Sequence, residues 1–265
     1  MRILCAGLRE KDSGKSTLTL SLIKYFKEQN IKVCGFKPKS GNNIWYHWKR
    51  VKEGLDKGTL YGRDAAKYFN KCNGKVPITT INPVHRLWMP SFNGSYLEGV
   101  PNFIMDRITI EERQIVALNT KVKTPIDNSH FKKLLDNSEI IKINEREDLE
   151  SLTELYEKAD EWGIMSLSDK VETIVCESYT NVGLPWNSIS DLDYVFVTAP
   201  FKVDIYNGER YLKASEYVSS ILMEQKTEEI IEPLTPIESI KVPPFSDKII
   251  TNIKEHLKPY LDDLL

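Results

Sequence analysis

The sequence lacks the features that mark several large classes of protein. It contains no apolar run of about 18 residues and no secretory signal at its start, so we expect neither a transmembrane helix nor an exported chain. It contains no long block of one charge sign, and its formal net charge is −2, which argues against a broad nucleic-acid-binding surface. These absences predict a soluble cytoplasmic protein whose partners are neither membranes nor nucleic acids.

Cysteine is also scarce. The 4 cysteines among 265 residues are scattered and form no Cys-x-x-Cys pair. Cys5, Cys34 and Cys176 lie in strand-like runs, and buried thiols explain them more simply than reactive ones. No internal repeat or low-complexity segment is present, and the chain is long enough for one large domain or for a domain with an added lobe.

What the sequence does have is a distinctive beginning. A short apolar run ends at Gly7, and a polar loop then leads to Gly14. Apolar residues repeat at helical spacing from there to about Asn30, and a second apolar run follows from Ile31 to Phe36. This order of strand, loop, helix and strand is a βαβ unit, which predicts an α/β fold with parallel strands.

The loop of this unit ends in Gly14-Lys15-Ser16, which is typical of a phosphate-binding loop. Glycine lets backbone N–H groups close around a phosphate at the positive end of the helix, where Lys15 would neutralise the phosphates and Ser16 would hold Mg²⁺. Arg9 stands where the strict pattern has glycine, which predicts a longer loop starting at Gly7. The alternative is a surface turn with an exposed lysine. The residues predicted to contact the nucleotide are Gly7, Lys11, Asp12, Ser13, Gly14, Lys15, Ser16 and Thr17.

Further candidates lie just after predicted strands, because the carboxyl ends of strands line the ligand crevice of an open α/β sheet. Lys37 follows the second strand and would add a cation near the phosphates, with Ser40 soon after it, although Lys-Pro is equally an ordinary strand exit. Glu177 ends the strand-like run 171–176 and is well placed for Mg²⁺ or its water shell. Glu177 could instead cap a helix or pair with a surface lysine.

Several segments, in their order and approximate spacing, resemble dethiobiotin synthetase. That family belongs to the P-loop group that includes cobyrinic acid amidases and the N-terminal domains of some phosphotransacetylases. The resemblance implies a P-loop NTPase-like fold with a mostly parallel sheet of about seven strands flanked by helices. It also implies a homodimer that uses ATP and Mg²⁺. The matching segments are Gly7…Gly14-Lys15-Ser16, 35–41, Asp64-Ala65, Ile81-Asn82-Pro83 and Val175-Cys176-Glu177.

The resemblance also implies a reaction, in which ATP phosphorylates a carbamate that then closes to a ureido ring. Asp64 is one of the implied ligands of Mg²⁺, although an acid in the first turn of a helix needs no function. Pro243 and Pro244 would line the base pocket. The implied catalytic residues are Lys15, Lys37 and Ser40, and the implied metal ligands are Ser16, Asp64 and Glu177.

The chain departs from the family pattern after Glu177, in the length of the segment before it, and in the family's late Asn-Asp that reads adenine, which has no evident match here. Where the family has Glu-Gly-Ala-Gly-Gly, this chain has Glu177-Ser178-Tyr179-Thr180-Asn181, so Tyr179 adds bulk where the family's backbone approaches its substrate. The segment between Pro90 and Glu177 is longer than in the family, which predicts one domain over 1–265 with an expanded region near 90–165. Two functions stay open: an ATP-dependent enzyme that phosphorylates a small carboxylate or carbamate, and a nucleotide-binding regulatory or scaffold protein of the same fold.

The rest of the chain supports local predictions. Residues 108–119 fit either a helix or a strand, and the proline-interrupted stretch 81–91 suits a binding loop. The aromatic cluster Trp45–Trp48 is either core packing or a substrate wall, a lid or a dimer contact. Central parallel strands are expected at 3–6, 32–36, 171–176 and 194–197, other strands at 139–143, 228–231 and 240–242, and helices at 145–162, at 208–224 and from 247, with Pro259 kinking or ending the last.

Overall fold

The computed structural model describes residues 1–72, 76–89, 103–124, 126–218 and 224–264. By its internal contacts the chain divides into two compact units, each with its own sheet, and the α/β class is confirmed. The expectation of one domain with an expanded region near 90–165 stays a prediction. Unit 1 is Met1–Lys37, Tyr68–Lys75 and Leu167–Leu265, and unit 2 is Pro38–Lys67 and Val76–Ser166.

Strands and helices alternate along much of the chain. The strands are β1 (Arg2–Gly7), β2 (Val33–Phe36), β3 (Lys39–Asn43), β4 (Val84–Trp88), β5 (Phe103–Ile110), β6 (Arg113–Asn119), β7 (Glu139–Ile143), β8 (Thr173–Glu177), β9 (Tyr194–Ala199), β10 (Lys202–Asn207) and β11 (Glu238–Lys241). The helices are α1 (Lys15–Glu28), α2 (Trp48–Lys57), α3 (Arg63–Lys71), α4 (Ile78–Ile81), α5 (Lys132–Asp136), α6 (Arg146–Glu150), α7 (Thr153–Ser168), α8 (Gly208–Val218), α9 (Thr227–Ile231) and α10 (Ile249–Leu264), with a 3₁₀ turn at Asn128–Phe131.

Unit 1 is built on a six-stranded sheet in the order β11-β10-β9-β1-β8-β2. Strands β9, β1, β8 and β2 are parallel, so Ile3 of β1 pairs with Val175 on one side and Tyr194 on the other. The four central parallel strands predicted from the sequence are therefore confirmed. Strands β10 and β11 extend this sheet by antiparallel pairing.

The first strand and first helix of unit 1 follow directly from the apolar pattern. Residues 3–7 of β1 are all buried, as expected for a central strand covered on both faces. Leu18, Leu22 and Phe26 repeat at helical spacing and are buried on α1, which packs against the sheet and against α10. Helix α10 continues through Pro259 to Leu264, so the helix does not end at this proline, and the alternative of a kink there stays a prediction.

Unit 2 contains a five-stranded sheet in the order β3-β4-β5-β6-β7. The outer pairs β3–β4 and β6–β7 are parallel, while β4, β5 and β6 pair in antiparallel fashion. Only Glu111 and Glu112 join β5 to β6, and so short a turn can only join antiparallel strands. The expectation of a single, mostly parallel sheet of about seven strands is thus corrected to two mixed sheets.

Several local predictions need correction. Residues 108–119 belong to the β5–β6 hairpin, and 84–88 form strand β4 instead of a binding loop, while Pro90 and Ser91 lie outside the described residues. Residues 228–231 lie in helix α9, not in a strand. The predicted strand at 139–143 is confirmed as β7, and the predicted helix at 145–162 is divided into α6 and α7.

The cysteines are only partly as expected. Cys5 and Cys176 are buried thiols, but Cys34 of β2 forms a disulfide with Cys72, 38 residues away, at a Cα–Cα distance of 5.3 Å. The interpretation of Cys34 as a free thiol was therefore wrong.

In the described part of the chain, no helix combines the length and apolar character needed to cross a membrane.

Candidate functional site

The loop between β1 and α1 folds back closely over the end of β1. A Cβ atom added to Gly7 would come within 2.4 Å of Ser13 Oγ and 2.9 Å of Lys15 Nζ, so a larger residue would displace both side chains. Gly14, the N-cap of α1, has φ 95°, a left-handed conformation that favours glycine. Both glycines therefore serve the local geometry of the loop, and their predicted contact with a phosphate stays a prediction.

The side chain of Lys15 turns back into this loop and is almost fully buried. Its Nζ donates to Ser13 Oγ at 3.1 Å and to the Arg9 carbonyl at 3.3 Å. It also donates to the carbonyl of Thr180, in the segment that follows β8. Lys15 thus joins the β1–α1 loop to the stretch in which this chain departs from the dethiobiotin synthetase pattern.

Glu177, the last residue of β8, is the centre of the site and is 2% exposed. Its Oε1 accepts hydrogen bonds from Ser16 Oγ at 2.8 Å and from Lys37 Nζ at 2.9 Å. Its Oε2 accepts from the hydroxyl of Tyr68 on α3. Lys37 also donates to the Ser178 carbonyl at 2.7 Å. One carboxylate therefore connects the first turn of α1, the end of β2 and α3.

The strand order explains why these residues meet. Strand β8 lies between β1 and β2 and is parallel to both, with Glu177 in register with Cys5 and Cys176 in register with Phe36. The residues that follow β1 and β2 must then lie on either side of Glu177, because the carboxyl ends of parallel strands share one edge. Lys37 is the residue that follows Phe36.

Cys5 lies beside Glu177, in register with it on the neighbouring strand β1, and is fully buried. Burial raises the pKa of its thiol to about 12, and the nearby Glu177 carboxylate acts in the same direction, against the opposing effects of Thr19 and Lys37. Cys5 is therefore a neutral thiol at physiological pH, which agrees with its interpretation as a buried, unreactive cysteine.

The arrangement is suited to binding an anion. Leu18 N donates to the Gly14 carbonyl at 2.9 Å in the first turn of α1, and the preceding N–H groups of a helix have no intrahelical acceptor. These N–H groups and the positive end of the helix dipole face the same side as the β1–α1 loop. Lys15 and Lys37 add two cations to this site. Residues 9–12 of the β1–α1 loop are exposed, so the loop is open to solvent. A phosphate group matches this combination of donors.

A magnesium ion is compatible with the same residues. Within the described ranges, no group of three or more His, Cys, Asp or Glu side chains could hold a metal by itself. The Ser16 hydroxyl and the Glu177 carboxylate, 2.8 Å apart, are two hard oxygen donors. Mg²⁺ usually takes one or two protein oxygens and completes its shell with water and phosphate oxygens. The donor set therefore fits a metal that enters together with a nucleotide.

Two predicted residues belong to unit 2. Ser40 Oγ donates to Asn82 Oδ1 at 2.8 Å and lies 2.8 Å from His85 Nδ1. Asp64, in the first turn of α3, forms an ion pair with Lys67 at 2.8 Å, the local partner that its position suggests. The proposed catalytic role of Ser40 and the metal-binding role of Asp64 stay predictions.

The other residues predicted to contact the nucleotide are exposed or half-buried. Lys11 and Asp12 are exposed in the β1–α1 loop, where Asp12 has φ 55°, and Thr17 is half-buried on α1. Pro243 and Pro244 are exposed just after β11. Their roles at a base or phosphate stay predictions.

The sequence did not identify Tyr68, which is fully buried and donates to Glu177. It also did not identify the Thr180 carbonyl, although the departure at this segment marks the region as unusual. Tyr68 carried no such signal, because an aromatic residue at helical spacing is most simply a core residue.

Comparisons with known proteins supply no further assignment. No family model matches the chain, and no curated protein matches it.

Proposed function

We propose that unit 1 binds a nucleoside triphosphate with Mg²⁺ and transfers its terminal phosphoryl group to a small carboxylate or carbamate, with ATP as the expected nucleotide. The observation that carries the proposal is the junction of Ser16, Glu177 and Lys37 beside the β1–α1 loop. In P-loop enzymes a hydroxyl of the loop and an acidic residue at a strand end together hold Mg²⁺. Here the two oxygens are already 2.8 Å apart.

The charges of the site support binding of phosphates in particular. Lys15 and Lys37 are both nearly buried, and an ammonium group removed from water interacts more strongly with an incoming anion than an exposed one does. Lys15 lies against the β1–α1 loop, where the β- and γ-phosphates would be held. Lys37, at the end of β2, bonds the same Glu177 oxygen as Ser16 does. There it would stabilise the negative charge on the oxygen that accepts or releases the phosphoryl group.

Ser16 and Glu177 are the residues that would hold Mg²⁺. When bound, the ion would neutralise charge on the phosphate oxygens and help to orient the terminal phosphoryl group. Lys37 would stabilise negative charge on the acceptor carboxylate or carbamate, which suits formation of an acyl phosphate. This acceptor class comes from the resemblance to dethiobiotin synthetase and extends to this chain as part of the proposal.

A second function is a nucleotide-binding regulatory protein that transfers no phosphate. The observation that favours it is the contact between Lys15 Nζ and the Thr180 carbonyl. Thr180 has φ 43° and stands where the family pattern has glycine, so the segment that should open toward a substrate contacts the phosphate-binding lysine instead.

The first experiment measures binding of ATP with and without Mg²⁺ by calorimetry. Lys15→Ala should weaken binding by about tenfold or more, since it removes charge-assisted hydrogen bonds. Ser16→Ala should reduce the gain in affinity that Mg²⁺ provides. Lys24→Ala and Ser21→Ala are matched controls on the same helix, because Lys24 bonds Thr251 and Ser21 bonds backbone carbonyls.

The second experiment separates the two functions. Phosphate release from ATP is followed while a panel of small carboxylates and diamines with bicarbonate is added. Release that depends on one of these compounds and disappears in Lys15→Ala supports the transferase. Tight binding of ATP without release under any condition supports the regulatory protein. Unchanged affinity in Lys15→Ala would contradict both.

A further inference from the structure

The disulfide of unit 1 lies close in the fold to the Glu177 cluster. Cys34 lies on β2, next to Gly35, and Cys72 lies immediately after α3, one turn beyond Tyr68. The Cys72 N–H donates to the Tyr68 carbonyl at 2.8 Å, so these two residues share the last turn of the helix. The disulfide therefore attaches the end of α3 that carries Tyr68 to strand β2.

The Tyr68 side chain is positioned by the same strand. A Cβ atom added to Gly35 would lie 2.6 Å from Tyr68 Cγ, so the ring packs directly on the backbone of β2. Lys27 Nζ donates to the Lys71 carbonyl at 2.7 Å and provides one further contact for this end of α3. Tyr68 reaches Glu177 because the end of its helix is held against β2.

The hydroxyl of Tyr68 fixes the orientation of the Glu177 carboxylate. Tyr68 bonds Oε2, while Ser16 and Lys37 bond Oε1. Without Tyr68, the carboxylate is free to rotate and to offer both oxygens to Lys37, since an ammonium carries three donors. Such a pairing would compete with a metal ion for Glu177.

We propose that Tyr68 is a positioning residue for Glu177, and that the Cys34–Cys72 disulfide makes binding of the magnesium nucleotide sensitive to thiol reductants. This inference rests on the proposed function. A dithiol attacks the sulfur of Cys72, which is 9% exposed, while Cys34 is fully buried. The S–S bond breaks, and Cys34 leaves as a thiolate and takes a proton. The second thiol of the reductant then releases Cys72 and becomes part of a new disulfide, so two electrons and two protons reach the protein.

Reduction removes the covalent bond at the end of α3. Residues at a helix end open more readily than those in its middle, so the last turn with Tyr68 samples open states more often. The reduced protein then binds the magnesium nucleotide more weakly, because Glu177 is less often oriented for the metal. Binding of the nucleotide without Mg²⁺ changes little, because it depends on Lys15 and the loop.

The test uses the whole chain and the Mg²⁺ dependence of ATP affinity. Tyr68→Phe should weaken binding of Mg-ATP by about tenfold, the size expected for a hydrogen bond to a charged group, and should leave binding without Mg²⁺ nearly unchanged. Tyr25→Phe is the matched control, because Tyr25 is also buried in unit 1 and its hydroxyl donates to a carboxylate, that of Asp262 on α10, at 2.8 Å.

Dithiothreitol is then added to the wild type, to Tyr68→Phe and to the double variant Cys34→Ala, Cys72→Ala. The affinity for Mg-ATP should fall several-fold on reduction in the wild type only, and it should recover on reoxidation. The two variants should not respond, the first because its hydroxyl is gone and the second because it has no disulfide. If the double variant fails to fold, the inference is tested by the other two proteins: the Mg-ATP affinity of the wild type should change reversibly on reduction, and that of Tyr68→Phe should not change.

The outcomes distinguish this inference from the proposed function. If ATP binds but reduction lowers only the melting temperature, with the Mg²⁺ dependence unchanged, the inference is overturned and the proposed function stands. An equal response to reduction in Tyr68→Phe would also overturn the role of Tyr68. If no form binds ATP, with or without Mg²⁺, the proposed function fails, and the inference fails with it.

Discussion

The substitution Glu177→Gln tests the site most directly, because Glu177 has both a structural and a proposed functional role. Its side chain and that of Lys37 are 3% and 8% exposed, so their ion pair is almost without water. Removing one charge of a buried pair leaves the other uncompensated, at a typical cost of about 3–5 kcal/mol. Lys37 keeps its bond to the Ser178 carbonyl, so we expect the lower end, about 3 kcal/mol.

A second substitution separates the two roles. Adding Lys37→Met to Glu177→Gln removes both charges, and replacement of a buried pair by uncharged groups is often close to neutral. The double variant should return to within about 1 kcal/mol of the wild type in free energy of unfolding. It should not regain Mg²⁺-dependent binding of ATP, because an amide is a poor substitute for the carboxylate as a metal ligand.

The assay should report on unit 1 alone. Hydrogen exchange followed by mass spectrometry gives the free energy of opening for peptides covering β1 and β8, the strands next to the pair. Wild-type protection in Glu177→Gln would refute the reasoning about the buried pair. Restoration of the Mg²⁺ dependence in the double variant would refute Glu177 as a metal ligand, whatever the stability.

Two further predictions concern positions where the geometry is specific. Gly7→Ala should weaken ATP binding by about tenfold, because its Cβ atom would displace Ser13 and Lys15, as a titration against the wild type can measure. Burial lowers the pKa of His85 well below its usual value, and the nearby Arg107 and His47 act in the same direction. The unfolded chain therefore binds a proton near pH 6.5 that the folded protein does not, and stability is lost as pH falls below that value, by up to about 1.4 kcal/mol per pH unit. In His85→Gln, urea midpoints at pH 7 and pH 5 should differ less than in the wild type, and an equal difference would contradict the neutral His85.

The central parallel strands of unit 1 and its β1–α1 loop could be predicted from the sequence alone. The runs that became β1, β2, β8 and β9 are short, apolar and uninterrupted, which is typical of parallel strands buried on both faces. The β1–α1 loop was predictable for the same reason, since its glycines, lysine and serine lie at fixed positions between a strand and a helix. These are local patterns, and local patterns can be read from one sequence.

Unit 2 was harder to predict because distant partners stabilise its polar residues. Strand β4 carries His85 and Arg86, which look like loop residues until Ser40 and Asp106 satisfy them. The β5–β6 hairpin turns at Glu111 and Glu112, both with positive φ, where glycine or asparagine would have indicated the turn. Neither feature leaves a signal in the pattern of apolar residues.

The Cys34–Cys72 pair and Tyr68 were missed for a similar reason. Connectivity of cysteines cannot be deduced from spacing alone, and Cys72 lies at the end of a helix with no paired motif nearby. The pattern of the short run 228–231 predicts a strand, but these residues lie in helix α9. At its start the Glu229 carboxylate accepts from the Lys226 N–H at 3.1 Å, and the Lys226 carbonyl accepts from the Glu229 N–H at 3.2 Å. Short apolar runs of this length do not distinguish the two structures.

The position of β1 has a consequence for how the chain folds. β1 (Arg2–Gly7) precedes the other described strands in the sequence, but both of its neighbours, β8 (Thr173–Glu177) and β9 (Tyr194–Ala199), come much later in the chain. Its pairing cannot begin until residues 173–177 of β8 have emerged from the ribosome, after all of unit 2 has been made, and it is complete only after β9 follows. Contacts between such distant segments slow folding, and an apolar strand without partners is prone to aggregation. The nascent chain must therefore keep β1 from associating with other chains until its neighbours emerge.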